Sequence, residues 1–259
     1  MRILFLGDIV GRPGREAVKK LLPAIKDEHS PHFIIANAEN VSHGKGMNSR
    51  HYEELKKAGI DFFTSGNHIW QQHNIFEIMD KSETDILRPA NYPKGNPGRG
   101  YRIVEGPLMK KILIINLQGR VFVKDDLDCP FRKLDEILEE TQSEDLDYIF
   151  VDFHAEATSE KICLGLYADG RVSAIIGTHT HVMTADERLL PKGTAYITDA
   201  GFVGLTNSAL GIDPEPVIKQ FLTQMPVKHT ITEDSPVTLN AVIIDCEKRG
   251  ATSIKRIYS

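Results

Sequence analysis

The sequence predicts an α/β protein, a layered sandwich in which central mixed β-sheets are flanked by helices. The main observation is that short apolar runs of strand length alternate with segments whose apolar residues repeat at helical spacing. The composition agrees, because 41% hydrophobic and 26% charged residues are ordinary for a globular chain and exclude a disordered or fibrous one.

The predicted strands are short apolar runs bounded by turn residues. In chain order they are residues 2–6, 33–36, 60–64, 101–104, 112–117, 148–153 and 172–176, and then a hairpin of 238–246 and 252–258. The turn of that hairpin is Lys248-Arg249-Gly250. The Pro-, Gly- and Asn-rich segment 89–100 is predicted to be a surface loop and not a domain boundary, so we expect residues 1–259 to form a single domain.

Each predicted helix carries an apolar stripe. The first follows a glycine-rich loop at 11–14, and the second is capped by Asn48 or Ser49 and ends at Gly59. A third lies around residues 131–138, and a fourth ends at Gly170 before the strand at 172–176. Strand–helix–strand order is therefore expected through most of the chain.

Charge and cysteine usage narrow the function classes. The formal charge of −5 and the pI near 6.1 give no strong signal for nucleic acid or an anionic membrane. The apolar run 3–6 is too short for a signal peptide or a membrane span, and the three cysteines have no paired spacing. We expect a cytoplasmic protein with no membrane partner, and a homo-oligomer remains open.

Side chains of metal-ligand type follow the predicted strands, where open α/β sheets bind ligands. The segments are Gly7-Asp8, Asn37-Ala38-Glu39-Asn40, Gly66-Asn67-His68, Asp152-Phe153-His154 and Gly177-Thr178-His179-Thr180-His181. His179 and His181 are two residues apart, so in extended backbone both imidazoles reach the same side. Singly, Asp8 is compatible with a turn, Glu39 with a solvated loop, and His154 with a buried core histidine.

Together the segments predict a dinuclear site of imidazole nitrogens and carboxylate or amide oxygens. Such a donor set suits manganese, iron or zinc. Two divalent ions carry more positive charge than the carboxylates of Asp8 and Glu39 return, so an anionic substrate is expected.

These motifs resemble the calcineurin-like metallophosphoesterases, whose signature contains Gly-Asn-His and Gly-His-x-His. The sequence departs from that signature at two places. Val10 stands where the first motif has a histidine, and Glu39-Asn40 stands where the second has Gly-Asp-x-x-Asp. With these two features the chain resembles a narrower group, the YmdB-like bacterial phosphodiesterases. Segments 7–11, 37–40 and 152–156 also resemble that group, and the similarity covers essentially the whole chain.

The resemblance implies a metallophosphoesterase fold and a role for each matching residue. One metal would be held by Asp8, Glu39, Asn40 and His181. The other would be held by the shared Glu39, Asn67, His154 and His179. It also implies iron or manganese as the metal, His68 as proton donor, and phosphodiesters such as cyclic nucleotides as substrates. In a two-metal mechanism, a hydroxide that bridges the ions would be the nucleophile.

Other functions remain open at this stage. The site could serve a phosphomonoesterase or nucleotidase, or a regulatory protein that binds metal and nucleotide without turnover. The glycines of residues 7–14 match neither Gly-x-Gly-x-x-Gly nor the P-loop, which disfavours a nucleotide-binding domain. His68 could instead orient Asn67, and Trp70 could line a pocket or pack beneath the loop.

Overall fold

The computed structural model describes residues 1–228, 230, 236–247 and 249–259. The helices are α1 (Gly11–His29), α2 (Ser49–Lys57), α3 (Phe76–Met79), α4 (Pro130–Glu140), α5 (Thr158–Ala168) and α6 (Pro214–Thr223). The strands are β1 (Arg2–Leu6), β2 (Asp8–Ile9), β3 (Phe33–Asn37), β4 (Phe62–Thr64), β5 (Tyr101–Gly106), β6 (Lys110–Gln118), β7 (Tyr148–His154), β8 (Ala174–Thr178), β9 (Arg188–Leu189), β10 (Ala195–Ile197), β11 (Phe202–Leu205), β12 (Val237–Glu247) and β13 (Gly250–Tyr258). Short 3-10 helices lie at Asn67–Gln71, His73–Ile75 and Pro107–Met109.

The strands form two mixed sheets. The first has the order β2-β11-β12-β1-β3-β4, with β13 paired to β12, and the second has the order β5-β6-β7-β8-β10-β9. Within the first sheet β1, β3 and β4 are parallel, and within the second β6, β7, β8 and β10 are parallel. The predicted layered α/β architecture with mixed sheets is confirmed.

Alternation along β1 explains the layers. Ile3 and Phe5 point into the core between the two sheets, whereas Leu4 and Leu6 point to the core beneath α1 and α2. The second sheet has an equivalent outer core beneath α4 and α5. Both faces of β1 are therefore buried, which is why the strand is a continuous apolar run.

The glycine-rich segment 11–14 differs from its prediction as a loop, because it forms the first turn of α1. Pro13 is tolerated there because the first N–H groups of a helix have no partner within it. A Cβ on Gly14 would lie 2.5 Å from the carbonyl oxygen of Val203, so the glycine allows α1 to approach β11 closely. These glycines serve packing and not a phosphate-binding loop.

The C-terminal hairpin has the predicted strands, although Lys248 of its turn lies outside the described residues. Asn48 caps α2 as predicted, since its side chain accepts a hydrogen bond from the His51 N–H. No helix in the described ranges is long and apolar enough to cross a bilayer.

Candidate metal centre

The segments that follow β1, β3, β4, β7 and β8 meet at one edge of the two sheets. Asp8, Glu39, Asn40 and His154 are almost completely buried there, and His68, His179 and His181 border a cavity of about 540 Å³. Distances within this cluster define two groups of potential metal ligands that share Glu39.

The first group consists of Glu39, His154 and His179. Nε2 of His154 lies 3.1 Å from Oε2 of Glu39 and 3.0 Å from Nδ1 of His179. One ligand atom from each residue lies within 4.8 Å of the others, so a single ion can contact all three.

The second group consists of Asp8, Glu39 and His181, and it satisfies the same 4.8 Å criterion. Oδ1 of Asp8 is buried and finds no hydrogen-bond donor among the described residues, although Oδ2 accepts a bond from the His179 N–H. A buried carboxylate oxygen without a donor is costly, and a cation beside it removes that cost. Nε2 of His181 lies 3.9 Å from this oxygen.

Asn40 lies between the second group and His68. Its Nδ2 is 2.9 Å from Oε1 of Glu39 and 3.1 Å from Nε2 of His181, and its Oδ1 is 2.8 Å from Nδ1 of His68. An amide binds metal through oxygen, so in this orientation Asn40 presents its non-ligating atom to the group. A 180° turn of the amide would direct Oδ1 toward His181 instead.

Asn67 is not brought into the cluster by any described side-chain hydrogen bond, and its side chain is half-buried. Its backbone is nevertheless close, because it follows Gly66. A Cβ on Gly66 would lie 2.3 Å from both Oε2 of Glu39 and Nε2 of His154, so only glycine fits there. This contact brings the start of the 3-10 helix that carries Asn67 and His68 to the edge of the cluster.

A buried hydrogen-bond chain fixes the ring of His154. Thr178 donates its hydroxyl proton to Oδ1 of Asp152 over 2.7 Å, so Oγ1 of Thr178 accepts from Nδ1–H of His154 over 2.9 Å. Asp152 also accepts bonds from Asn37 and Thr64. Because Nδ1 bonds to Thr178, Nε2 is the atom that faces Glu39 and His179, and it is the atom that would bind a metal ion.

The loop that carries His179 and His181 has an unusual backbone. Both residues lie in the left-handed region, with φ of 102° and 62°, where non-glycine residues are uncommon. Between them Thr180 donates from both its N–H and its hydroxyl to Oδ2 of Asp199, which is also 2.7 Å from Nζ of the buried Lys161. This network holds both imidazoles in place against the strain.

Burial dominates the electrostatics of the cluster. It raises the pKa of Asp8, and the charges of His181 and His154 only partly oppose that shift. Burial alone would raise the pKa of Glu39, but the charge and hydrogen bond of a protonated His154 outweigh burial and hold that pKa below its ordinary range. Glu39 in turn raises the pKa of His154 to about 9 against the effect of burial, so a metal ion bound there would replace the Nε2 proton. Burial lowers the pKa of His179 to about 3, so this imidazole is neutral and its lone pair is available to a cation.

Several residues of the site had no role in the sequence prediction. Glu156 lies 3.1 Å from Nε2 of His179, and its position two residues after His154 in the sequence was the available signal. Thr178 and Asp152 belong to motifs that were recognised, but their contacts depend on the inward side of β7 and β8. Lys161 carried no signal, because nothing in the sequence pairs it with Asp199.

Comparisons with known proteins show the family to which the chain belongs. A family model described as YmdB-like protein matches residues 4–257. The chain belongs to the YmdB-like family. A 2′,3′-cyclic-nucleotide 2′-phosphodiesterase of Bacillus subtilis is 49% identical over 255 residues, covering 98% of this chain and 95% of that protein.

Solved structures extend the likeness to the fold. A hypothetical protein from Thermus thermophilus superposes with a TM-score of 0.92 at 40% identity, covering 100% of this chain and 99% of the other. A structure titled a novel phosphatase, from Mycoplasma pneumoniae, also has a TM-score of 0.92 at 36% identity, covering 100% and 93%. The predicted family and enzyme class, a phosphoric ester hydrolase, are confirmed by these relatives.

Proposed function

We propose that this chain is a dinuclear metal-dependent phosphodiesterase whose substrates are small phosphate diesters, cyclic nucleotides in particular. The observation that carries the proposal is the pair of ligand groups sharing Glu39 beside a cavity of about 540 Å³. The name of the B. subtilis relative supports the substrate class, because its similarity extends over 98% of this chain.

Two metal ions would be held by the side chains that surround Glu39. Asp8, Asn40 and His181 would complete one site with Glu39, and Asn67, His154 and His179 would complete the other. The fit is good at Asp8, whose buried Oδ1 lacks a donor among the described residues. Nitrogen and oxygen donors without thiolate suit iron or manganese, with zinc as a third candidate.

Such ions, when bound, lower the pKa of water to supply a nucleophile and neutralise charge on the phosphoryl oxygens. The chain's own contribution is to keep the site positive, because only Asp8 and Glu39 bring negative charge among the proposed ligands. An anionic phosphate is therefore favoured even though the whole chain has a formal charge of −5.

His68 is the proposed proton donor to the leaving alkoxide. With the Asn40 amide turned so that Oδ1 faces His181, as metal binding requires, Nδ2 would face Nδ1 of His68, which lies 2.8 Å from that end of the amide. Nδ1 of the neutral ring would then accept a hydrogen bond, and Nε2 would carry the proton to be donated; the ring lines the cavity. Asn40 thereby orients the acid and lies between it and the second ligand group.

The remaining proposals concern the cellular location, the domain organisation and the oligomeric state. The described cysteines Cys129, Cys163 and Cys246 are free, which fits the reducing cytoplasm that we infer for this chain. We also infer a single domain over residues 1–259, and gel filtration would report whether it forms a homo-oligomer.

Hydrolysis assays test the proposed function. Protein reconstituted with Mn²⁺ or Fe²⁺ should hydrolyse bis(p-nitrophenyl) phosphate and 2′,3′-cyclic AMP, and should be slower on 3′,5′-cyclic AMP and on mononucleotides. No hydrolysis above a metal-only blank would reject the enzyme, and a preference for mononucleotides would reassign it as a phosphomonoesterase.

A matched pair of variants links that activity to the cluster. Glu39→Gln should abolish turnover, whereas Glu53→Gln, which changes an exposed carboxylate of α2, should leave it intact. Equal activities in the two variants would contradict the location of the site.

A further inference from the structure

Helix α6 differs from α1, α2, α4 and α5 because none of its residues is buried. It is nevertheless locally well formed, since Asp213 caps its start and Gln224 ends it in the left-handed conformation. Apolar side chains on this helix are exposed, with Phe221 at 75% and Leu222 at 81%. Packing into the core therefore does not explain why the helix is apolar.

The cavity next to the metal ligands is lined by both polar and apolar side chains. Glu39, His68, His179 and His181 are among the polar ones. We define the apolar wall as five of the apolar lining residues, namely Val10, Leu210, Ile212, Val217 and Phe221. The cavity of about 540 Å³ lies within the range of about 300–1,000 Å³ that small-molecule sites occupy.

Two contacts connect the loop of the wall to the metal-ligand region. Nδ1–H of His181 donates to the carbonyl oxygen of Leu210 over 2.9 Å, which leaves Nε2 facing Asp8. Gly211, with φ of 95°, packs so closely on Val10 that a Cβ would lie 2.7 Å from Cγ1 of that valine. A molecule bound at the ligand groups would therefore meet this wall.

We propose that the apolar wall binds the nucleobase of the substrate, with Phe221 stacking on its face. The inference rests on the proposed function and deepens it. The cavity joins a site for an anion to an apolar surface that includes an aromatic ring, and a nucleotide combines an anionic phosphate with a planar base. Base–aromatic stacking is tolerant of base identity, so the wall would favour nucleosides without selecting one base.

Two substrates that share a five-membered cyclic phosphate separate the wall from the chemistry. They are 2′,3′-cyclic AMP, which carries a base, and glycerol 1,2-cyclic phosphate, which does not. Phe221→Ala should raise KM for 2′,3′-cyclic AMP by about 5- to 100-fold, the effect of losing one stacking contact, while kcat changes little. KM for glycerol 1,2-cyclic phosphate should stay within twofold.

Two further variants complete the test. Leu222→Ala, on the same helix but outside the cavity lining, should leave both KM values unchanged, and Phe221→Trp should restore the KM for 2′,3′-cyclic AMP. An unchanged KM in Phe221→Ala, or an equal rise for both substrates, would overturn the assignment. If Phe221→Ala elutes as a smaller species than the parent on gel filtration while its KM for 2′,3′-cyclic AMP is unchanged, the wall would instead be the contact surface for a second copy of the chain. If the metal-loaded parent hydrolyses neither substrate, the proposed function fails and this inference fails with it.

Discussion

Lys161 donates a hydrogen bond of 2.7 Å to Oδ2 of Asp199, and neither side chain is more than 1% exposed. The same oxygen accepts both bonds from Thr180, between His179 and His181. A fully buried ion pair therefore supports the loop that carries two candidate metal ligands. Removing one partner of such a pair strongly destabilises the protein, because the remaining charge stays buried without compensation.

Lys161→Met should destabilise the protein by about 3–5 kcal/mol, measured as the free energy of unfolding in urea. Neutralising the abandoned charge in Lys161→Met/Asp199→Asn should recover part of that loss. Lys110→Met is the control, because its 2.7 Å pair with Asp147 is partly exposed to solvent; this variant should lose at most about 1 kcal/mol. Equal midpoints for Lys161→Met and Lys110→Met would show that the buried pair does not stabilise the loop.

Thr178→Val should weaken metal binding by about 10- to 100-fold, the usual effect of removing a group that orients a histidine ligand. The variant removes the acceptor for Nδ1–H of His154 and one of the donors to Asp152. Thr178→Ser keeps the hydroxyl and should bind metal as the parent does. Calorimetric titration of the metal-free variants with Mn²⁺ would measure both affinities. Equal affinities of Thr178→Val and Thr178→Ser would contradict the proposed role of the Asp152–Thr178–His154 hydrogen bonds.

His51 makes stability depend on pH. Burial, aided by the charge of Arg15, lowers its pKa from 6.5 to about 4. Oγ of Ser42 accepts from the Asn48 N–H and lies 2.8 Å from Nδ1 of His51, where its hydroxyl can donate to the neutral ring. Because the folded pKa is depressed, this contribution is complete above about pH 6.5 and is lost as the pH falls toward 4.

The expected signature is a pH-dependent difference between the parent and His51→Gln. The parent should lose thermal stability relative to the variant between pH 6.5 and 4, and the difference should be constant above pH 7. A difference that does not change over this range would mean that His51 is not held neutral.

The fold was largely predictable because its buried strands are continuous apolar runs, as in β1 and β7. Two-residue strands such as β2 and β9 are too short to carry such a pattern, and β2 forms only by pairing with the distant strand β11. Helix α6 was missed as well, since none of its residues is buried and no core stripe marks it.

The site was predictable to the extent that ligand types follow strand ends in a recognisable order. The structure brings both His179 and His181 to the cluster as predicted, each in a different ligand group. The extended backbone assumed in that prediction was wrong, because β8 ends at Thr178 and both residues have positive φ. The orientation of the Asn40 amide, the position of Asn67 and the Lys161–Asp199 pair depend on tertiary contacts. No local pattern in the sequence specifies those contacts.

His68→Ala should keep the metal content of the parent while kcat falls by about 10²- to 10⁴-fold, as expected for loss of a general acid. His73→Ala, which changes an exposed histidine in the next 3-10 helix, is the matched control and should retain activity. Metal loss in His68→Ala, measured by elemental analysis, would mean that the residue holds the site and does not donate the proton.

The sharing of Glu39 between two ligand groups is the central claim, and metal content per chain tests it most directly. Elemental analysis of the reconstituted parent should find two ions per chain, whereas Glu39→Ala, treated identically, should retain neither ion. One ion per chain in the fully active parent, or two ions in the Glu39→Ala variant, would contradict a centre built around this carboxylate.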